Sequence, residues 1–422
     1  MDATLSPGSF DDRVTLRLGG DEILIAKSWD VQEGVLTTPG AFTLELGQST
    51  PVASYFTSQA RLTPQQGGPK YPKGTPFELS IGDAPQMTGV IEGFHVKGKA
   101  TEISIKGRDK LASLMRTHSE AQRSFIDGTY EDLVTWALVA AGIPDYTLLT
   151  TKAGGNASNR KIKAGIPISV VDEPATIDQI NAMGTAGTGD QGVLVGAVIH
   201  QEHQNRIHEN LLAFVRRHLD RAGLFLWAAA TANTFILGQP NGDQNPSARI
   251  IRQRGVKESS NVVDVDYVDD CTHRHGACSV YGRGGGRRAG RAKAKGGVVD
   301  GEMDFYSTTT GCGWNQQGIL YRDVDVQNVE QAEFYARRKL AEERRNGWSL
   351  TYTIRGHRLP TPDGTAWGVV TPDTTVQVKD DEIGLDDVYY VESVRRMRKP
   401  ETVTEVRLMR RGDLIFGTGG VD

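Results

Sequence analysis

Residues 41–46 read Ala-Phe-Thr-Leu-Glu-Leu and residues 77–81 read Phe-Glu-Leu-Ser-Ile. Apolar side chains recur at every second position in both, Phe42, Leu44 and Leu46 in one and Phe77, Leu79 and Ile81 in the other. That period is the period of a strand with one buried and one wetted face. Working outward, similar short runs lie between glycines, prolines and aspartates at Val14 to Leu18, Ile23 to Val31, Met87 to Val96 and Glu102 to Lys106. Six such strands over residues 1–110 predict a small barrel or sandwich. The proline- and glycine-rich stretch from Pro64 to Pro76 reads as a loop.

Beyond Lys110 the period changes. Thr129, with Asp132 three residues on, is a helix start whose hydroxyl can accept from a free first-turn amide. Leu133, Trp136, Ala137 and Ala140 then share a face, and Gly142 ahead of Ile143 and Pro144 supplies the stop. A second helix is predicted from Glu209 to Ala222 on the stripe Leu211, Leu212, Val215 and Leu219. Leu224 to Trp227 and Thr234 to Leu237 read as a hairpin after it. These make a middle α/β domain over residues 111–245.

Alternation returns at Ala248 to Arg252, Val262 to Val268 and Ala277 to Tyr281, and again at Ser349 to Arg355, Gly368 to Val370, Thr375 to Val378, Val388 to Arg395 and Thr402 to Leu408. Between the two groups lie a glycine-rich basic run and a polar helix from Asn328 to Asn346. The expected architecture is α+β and mainly β, with two similar small β-barrel domains flanking and interleaved with α/β domains. The first barrel is 1–110; the second starts in 246–285, is interrupted by an insertion at 286–347, and is completed by 348–422.

The chain has 422 residues, 48 lysines and arginines against 52 aspartates and glutamates, and a net charge of −4. That balance exerts no global pull on nucleic acid. No apolar run approaches the ~20 residues of a membrane span, and the amino terminus lacks the basic and apolar segments of a signal peptide. Synthesis in a cytosol is expected. Three cysteines are too few for a disulfide scaffold and cannot all pair within the chain, so a reducing compartment is the default. The 49 glycines suit many tight turns between strands.

Candidate chemistry is sparse. Gly187, Gly189 and Gly192 fit the spacing of a dinucleotide fingerprint, but a polar segment precedes them and the β-like Val193 to Ile199 follows, so the helix that would face a pyrophosphate is missing and the stretch reads as a loop. Cys271, His273, His275 and Cys278, with Cys312 downstream, hold enough nitrogen and sulfur for zinc, but not at a usual spacing; a structural or surface loop is the preferred reading. His200, His203 and His208 read as a solvated patch. The basic run from Arg283 to Lys295 carries six positive charges and no acid. It has no interleaved aromatics for base stacking and reads as a solvated loop. There is no G-x-S-x-G, P-loop or H-E-x-x-H motif. No catalytic, cofactor-binding or metal residue is assigned and no cofactor is expected.

Three groups of residues carry a resemblance. The first is Val14-Thr-Leu-Arg-Leu with Trp29-Asp-Val-Gln-Glu and Gly40-Ala-Phe-Thr-Leu-Glu-Leu. The second is Gly89-Val-Ile-Glu-Gly-Phe leading into Ile103-Ser-Ile-Lys-Gly-Arg-Asp-Lys-Leu. The third is Trp367-Gly-Val-Val-Thr-Pro-Asp-Thr-Thr-Val-Gln-Val with Tyr389-Tyr-Val-Glu-Ser-Val and Thr404-Glu-Val-Arg-Leu. Their succession resembles the baseplate hub proteins of contractile-tailed phages, the Mu-like hub family, relatives of the type VI secretion spike base. The resemblance implies a non-enzymatic homotrimer. Two barrels per subunit would form a ring that matches the sixfold tail tube to the threefold central spike and lines the channel for DNA ejection. It implies as partners a tail tube or distal tail protein, the spike, and in addition the tape-measure protein and baseplate wedge, with DNA passing unread and no membrane contact, in a virion made in the host bacterial cytoplasm. Readings of another class are a metal- or nucleic-acid-binding module centred on 271–295, or a tail-associated peptidoglycan hydrolase.

Overall fold

The computed structural model describes residues 12–19, 21–23, 26–36, 39–46, 71–97, 102–118, 124–125, 129–150, 161–164, 203–204, 209–221, 224–230, 233–240, 242–253, 261–272, 274–282, 295–299, 318–322, 329–398 and 401–414. The first unit contains β1 (Val14–Leu18), β2 (Asp21–Ile23), β3 (Ala26–Gly34), β4 (Ala41–Leu46), β5 (Pro76–Ile81), β6 (Ala84–Lys97) and β7 (Glu102–Asp109). Their order in the sheet is β3-β4-β7-β6-β5-β1-β2, antiparallel throughout. β4 and β5 alternate as their sequences predict: Phe42, Leu44 and Leu46 are buried with Phe77, Leu79 and Ile81 in one core, and Phe42 meets Phe77 edge to face. Alternation therefore located both strands, and their burial on the same core is what rolls the sheet.

The Gly107-Arg108-Asp109 ending of β7 has a physical role. A Cβ on Gly107 would sit 2.5 Å from the Phe42 ring, so only glycine admits that ring. Asp109 is buried, and its carboxyl accepts from the Gly40 amide at 2.6 Å and the Leu111 amide at 2.9 Å. It thereby ties the start of β4 to the helix that follows, α1 (Leu111–Arg116). Burial pushes its pKa up to about 7, against the lowering effect of the two amides.

The middle unit holds α1, β8 (Ser124–Phe125), α2 (Tyr130–Ala140), β9 (Thr147–Thr150), β10 (Lys161–Ala164), β11 (His203–Gln204), α3 (Leu211–Arg221), β12 (Phe225–Ala228) and β13 (Thr234–Gly238). Thr129 and Asp132 close a reciprocal capping box at the start of α2. Leu133 and Ala137 of the expected stripe are buried, whereas Ala140 is exposed. α3 begins after Asn210, whose side chain accepts from the Ala213 amide at 2.8 Å, and the stripe Leu211, Leu212, Val215 and Leu219 is buried. The expected hairpin is β12 and β13; β13 also pairs parallel to β9, giving the order β10-β9-β13-β12.

The remaining elements are β14 (Ala248–Arg252), β15 (Val262–Asp269), β16 (Ala277–Tyr281), β17 (Lys295–Val299), β18 (Gly318–Arg322), α4 (Val329–Gly347), β19 (Trp348–Arg355), β20 (Arg358–Pro360), β21 (Trp367–Val369), β22 (Thr375–Asp380), β23 (Leu385–Arg398) and β24 (Thr402–Met409). β15, β19, β24, β23, β22 and β14 follow one another in a second rolled sheet around its own core. Asn261 links its two ends, accepting from the Ile251 amide at 3.0 Å and donating to the Arg249 carbonyl at 3.3 Å. One expectation is corrected. Ala277 to Tyr281, read as a strand of the second barrel, pairs with β17 and β18 in a separate three-stranded sheet covered by α4. Alternation marks a strand without marking its partner, and Gly296 on β17 decides this one: a Cβ there would lie 2.5 Å from the Glu333 amide, so the sheet can press against α4 only at glycine. The result is an α+β, mainly β fold.

Asp109→Ala removes the acceptor of two buried amides. We expect a loss of about 2–3 kcal/mol with an unchanged slope in urea unfolding, and Asp109→Asn to lose less.

Candidate assembly interfaces

The two rolled sheets are one hydrogen-bonded structure. β23 carries β24 on one side and, through Ser393 to Arg398, pairs antiparallel with Gly34 to Trp29 of β3 on the other. Sequence separation across this seam exceeds 350 residues, as in the Arg395–Asp30 contact. Arg395 forks onto Asp30 at 2.9 and 2.7 Å. Arg396, with 0% of its surface exposed, donates to Glu33 Oε2 at 2.8 Å and to the Val370 carbonyl at 2.5 Å. Arg398 lies 5.1 Å over the Trp29 ring. Three arginines of one strand, Arg395, Arg396 and Arg398, thus bind the first unit by charge, and the planar guanidinium suits each contact.

Trp29 continues the seam. Its indole N–H donates to His357 Nε2 at 3.0 Å. Indole is a donor only, so Nε2 is the acceptor and the imidazole proton sits on Nδ1, 2.8 Å from Thr404 Oγ1, whose hydroxyl in turn donates to the Gly356 carbonyl at 2.8 Å. The His357 backbone amide donates to Asp12 at 3.0 Å. Burial, then the positive charge of Arg396, pushes the His357 pKa down to about 3. The neutral ring is the one that fits.

Exposed large apolar residues gather at two places. Val263 (49% exposed), Tyr267 and Val268 (44%) lie on β15, which pairs with β19 on one side and with no other strand among the described residues. The aspartates 264, 266 and 269 are interleaved with them and exposed. Charges of this kind guard a strand edge against indiscriminate pairing while leaving it available to a matched partner. Val299 and Leu320 are exposed on the three-stranded sheet.

Of the cysteine and histidine segment, Cys271, His275 and Cys278 are among the described residues. Cys278 faces the packed core between β16 and α4 with Val280, Ala332, Ala336 and Leu340. Burial, with Glu343 adding to it, raises its thiol to about 11, which holds it protonated. His275 lies 2.9 Å from Glu343 through Nδ1 and donates its backbone amide to the same carboxylate at 3.0 Å. Cys271 is half-buried and, like Cys278, a free thiol. Among the described residues no three histidine, cysteine or acidic side chains converge on a metal position. His273, Cys312, His200, His208, the glycines 187, 189 and 192, and the basic residues 283–291 with Lys293 lie outside the described residues; of His203 only the backbone, in β11, is described. Lys295 starts β17, its ammonium 5.4 Å over the Tyr281 ring. The seam residues had no signal in the sequence beyond the run Arg395, Arg396 and Arg398, since their partners are hundreds of positions away.

Residues 342–413, from the end of α4 through β24, match a family model described as a tail protein, C-terminal domain. No curated protein is a match. Among solved structures, the chain is similar to the 43 kDa tail protein of prophage MuSo2 from Shewanella oneidensis, at 15% identity over 95% of this chain and 99% of that one, with a TM-score of 0.64. It is similar to a tail protein from Neisseria meningitidis at 21% identity over 95% and 97%, also with a TM-score of 0.64. A prophage tail protein from Listeria monocytogenes aligns at 9% identity over 94% of both chains, TM-score 0.51. The fold of this chain is the fold of these tail proteins along almost its whole length.

Two outcomes are expected for the seam. Arg396→Ala leaves Glu33 and the Val370 carbonyl without their donor and should cost about 3–5 kcal/mol in chemical denaturation, part of it restored in Arg396→Met with Glu33→Gln. His357 has a folded pKa below its unfolded value of about 6.5, so its contribution is present at neutral pH and lost as pH falls below that value towards 3. Asp109, raised instead of lowered, works in the opposite sense over the same range, so the test is differential. Between pH 7 and 5 the wild-type protein should lose about 2 kcal/mol more than His357→Gln does; equal losses would contradict the assignment.

Proposed function

We propose that this protein is the hub of a contractile phage tail baseplate, a structural component and not an enzyme. The observation that carries the reading is the seam: two rolled β units of one chain are locked side by side through β23 and β3. Three copies of such a pair supply six comparable β units, which is what joining a sixfold tube to a threefold spike requires. The similarity to tail proteins over the whole chain and the tail-protein match at 342–413 support the same reading.

In this proposal residues 1–110 form one barrel and the strands within 246–269 and 348–414 the other. The middle α/β unit and the three-stranded insert project from the ring. The partners are two further copies, the tail tube or distal tail protein, the central spike, the tape-measure protein and the baseplate wedge. The net charge of −4 suits a channel that lets DNA pass without gripping phosphate. The basic run at 283–295 belongs on a partner-facing side, and DNA crosslinks from Arg287 or Lys293 positions in assembled particles would refute that placement. The protein resides in the tail baseplate of the virion after synthesis in the host cytoplasm.

The exposed apolar edge of β15 is the subunit contact in this reading. Light scattering of the full chain, with negative-stain imaging, should give three times the mass of 45.9 kDa and an open-centred ring. Val263→Lys with Val268→Lys should shift the mass toward the monomer while leaving the unfolding midpoint of the single chain within the change of about 0.5 kcal/mol usual for surface sites. A trimer unaffected by both substitutions moves the contact elsewhere, and a compact monomer at high concentration counts against the hub.

A further inference from the structure

The three-stranded sheet of β16, β17 and β18 has two unlike faces. Cys278, Val280, Val298 and Ile319 turn toward α4 and pack in a core with it. The alternate residues face away from the helix, because the strand period is two. In register across this outer face, Lys295 and Arg322 flank Tyr281, while Val299 and Leu320 lie on the rows beyond. Val299 is 58% and Leu320 66% exposed, and Lys295 and Arg322 are exposed as well. The three strands contain no acidic residue. Apolar side chains grouped on a sheet face and bordered by charge have the composition of an interaction surface.

β15 carries the counterpart. Asp264, Asp266 and Val268 stand opposite Thr353, Thr351 and Ser349 of β19, whereas Val265 and Tyr267 stand opposite the buried Tyr352 and Leu350. The two aspartates and Val268 therefore point away from the core, with Val263 exposed at the bulge ahead of them. Asp269 is on the other face of the strand and is taken by Arg410 at 3.1 Å. The outward surface of β15 thus has a valine at each end, two negative charges between them and no base. We propose that the outer face of the three-stranded sheet receives the outward face of β15 from a second copy of this chain. Lys295 and Arg322 meet Asp264 and Asp266, and Val299 and Leu320 meet the flanking valines. The inference rests on the hub reading, in which β15 is the subunit contact, and adds the surface on which that contact lands. Both surfaces are exposed within one chain, so a chain does not satisfy itself. Because they are different patches, the contact runs head to tail, and three such contacts close a ring. Opposite charges fix the register and disfavour like pairing, since two β15 edges would bring four aspartates together.

The experiment is sedimentation velocity of the full chain over a concentration series. The face variant is Lys295→Glu with Arg322→Glu, and the edge variant is Asp264→Lys with Asp266→Arg. Each should raise the dissociation constant of the trimer at least about tenfold. A chain carrying all four substitutions should recover most of that loss, because the charges are then exchanged and opposite again. Lys295 also lies over the Tyr281 ring, so Arg322→Glu alone, which leaves that contact in place, is the second face variant and should weaken association in the same direction. A wild-type chain that stays monomeric throughout the series defeats the hub reading and this contact together. A wild-type trimer that is indifferent to both face variants, or that the four substitutions together do not restore, overturns this pairing and leaves the hub reading standing. The outer face then serves a different protein with an acidic surface.

Discussion

The six-residue pairing of β23 with β3 is the constraint on which the rest of the structure depends. Each β unit has a separate core, and Val369 of the second unit packs partly buried against the first. What makes them one body is a ladder of backbone hydrogen bonds reinforced by three arginines from a single strand. The buried Arg396 is costly to desolvate, and such groups contribute little net stability compared with an apolar replacement. Their effect is on register. A shift of β23 by one residue would turn Arg396 away from Glu33 and Arg395 away from Asp30, exposing the wrong face of both sheets.

The seam also organises the middle unit. Val35, just past β3, shares a small cluster with Trp227 and Ile236 of the middle sheet and with Tyr390 and Met409 of the second β unit. The three units meet there, a cavity opens beside it, and Tyr390 fixes Asp373 at its rim. Movement at the seam would therefore be felt in every unit. His357, held neutral between Trp29 and Thr404, reports on the same junction from its far side.

Much of the fold was legible because local rules decided it. Val14 to Leu18, Ala41 to Leu46, Ala248 to Arg252 and Ala277 to Tyr281 begin and end where their alternation does. Thr129 and Asp132 form the capping box that their spacing implies. What failed was pairing: β16 alternates like its neighbours, yet its partners β17 and β18 are chosen by the packing of α4 and the absence of a side chain at Gly296. The seam between the two β units was not legible. Arg396 and Glu33 lie 363 positions apart, and nothing local distinguishes an arginine that will be buried from one that stays in water. The cysteine and histidine segment shows the converse, a suggestive composition whose described members bring no three metal-ligating groups together, with Cys278 in a core and His275 on Glu343.

The central claim is that the two β units form one rigid frame through the seam. Residue-resolved amide hydrogen exchange on the native chain tests it directly. The amides of Trp29 to Gly34 and Ser393 to Arg398 that face across the seam should exchange only by global unfolding, as slowly as those of Leu44 and Val406 in the two cores. Exchange at the seam faster by orders of magnitude, with both cores still protected, would show two units that separate in solution and would contradict the account.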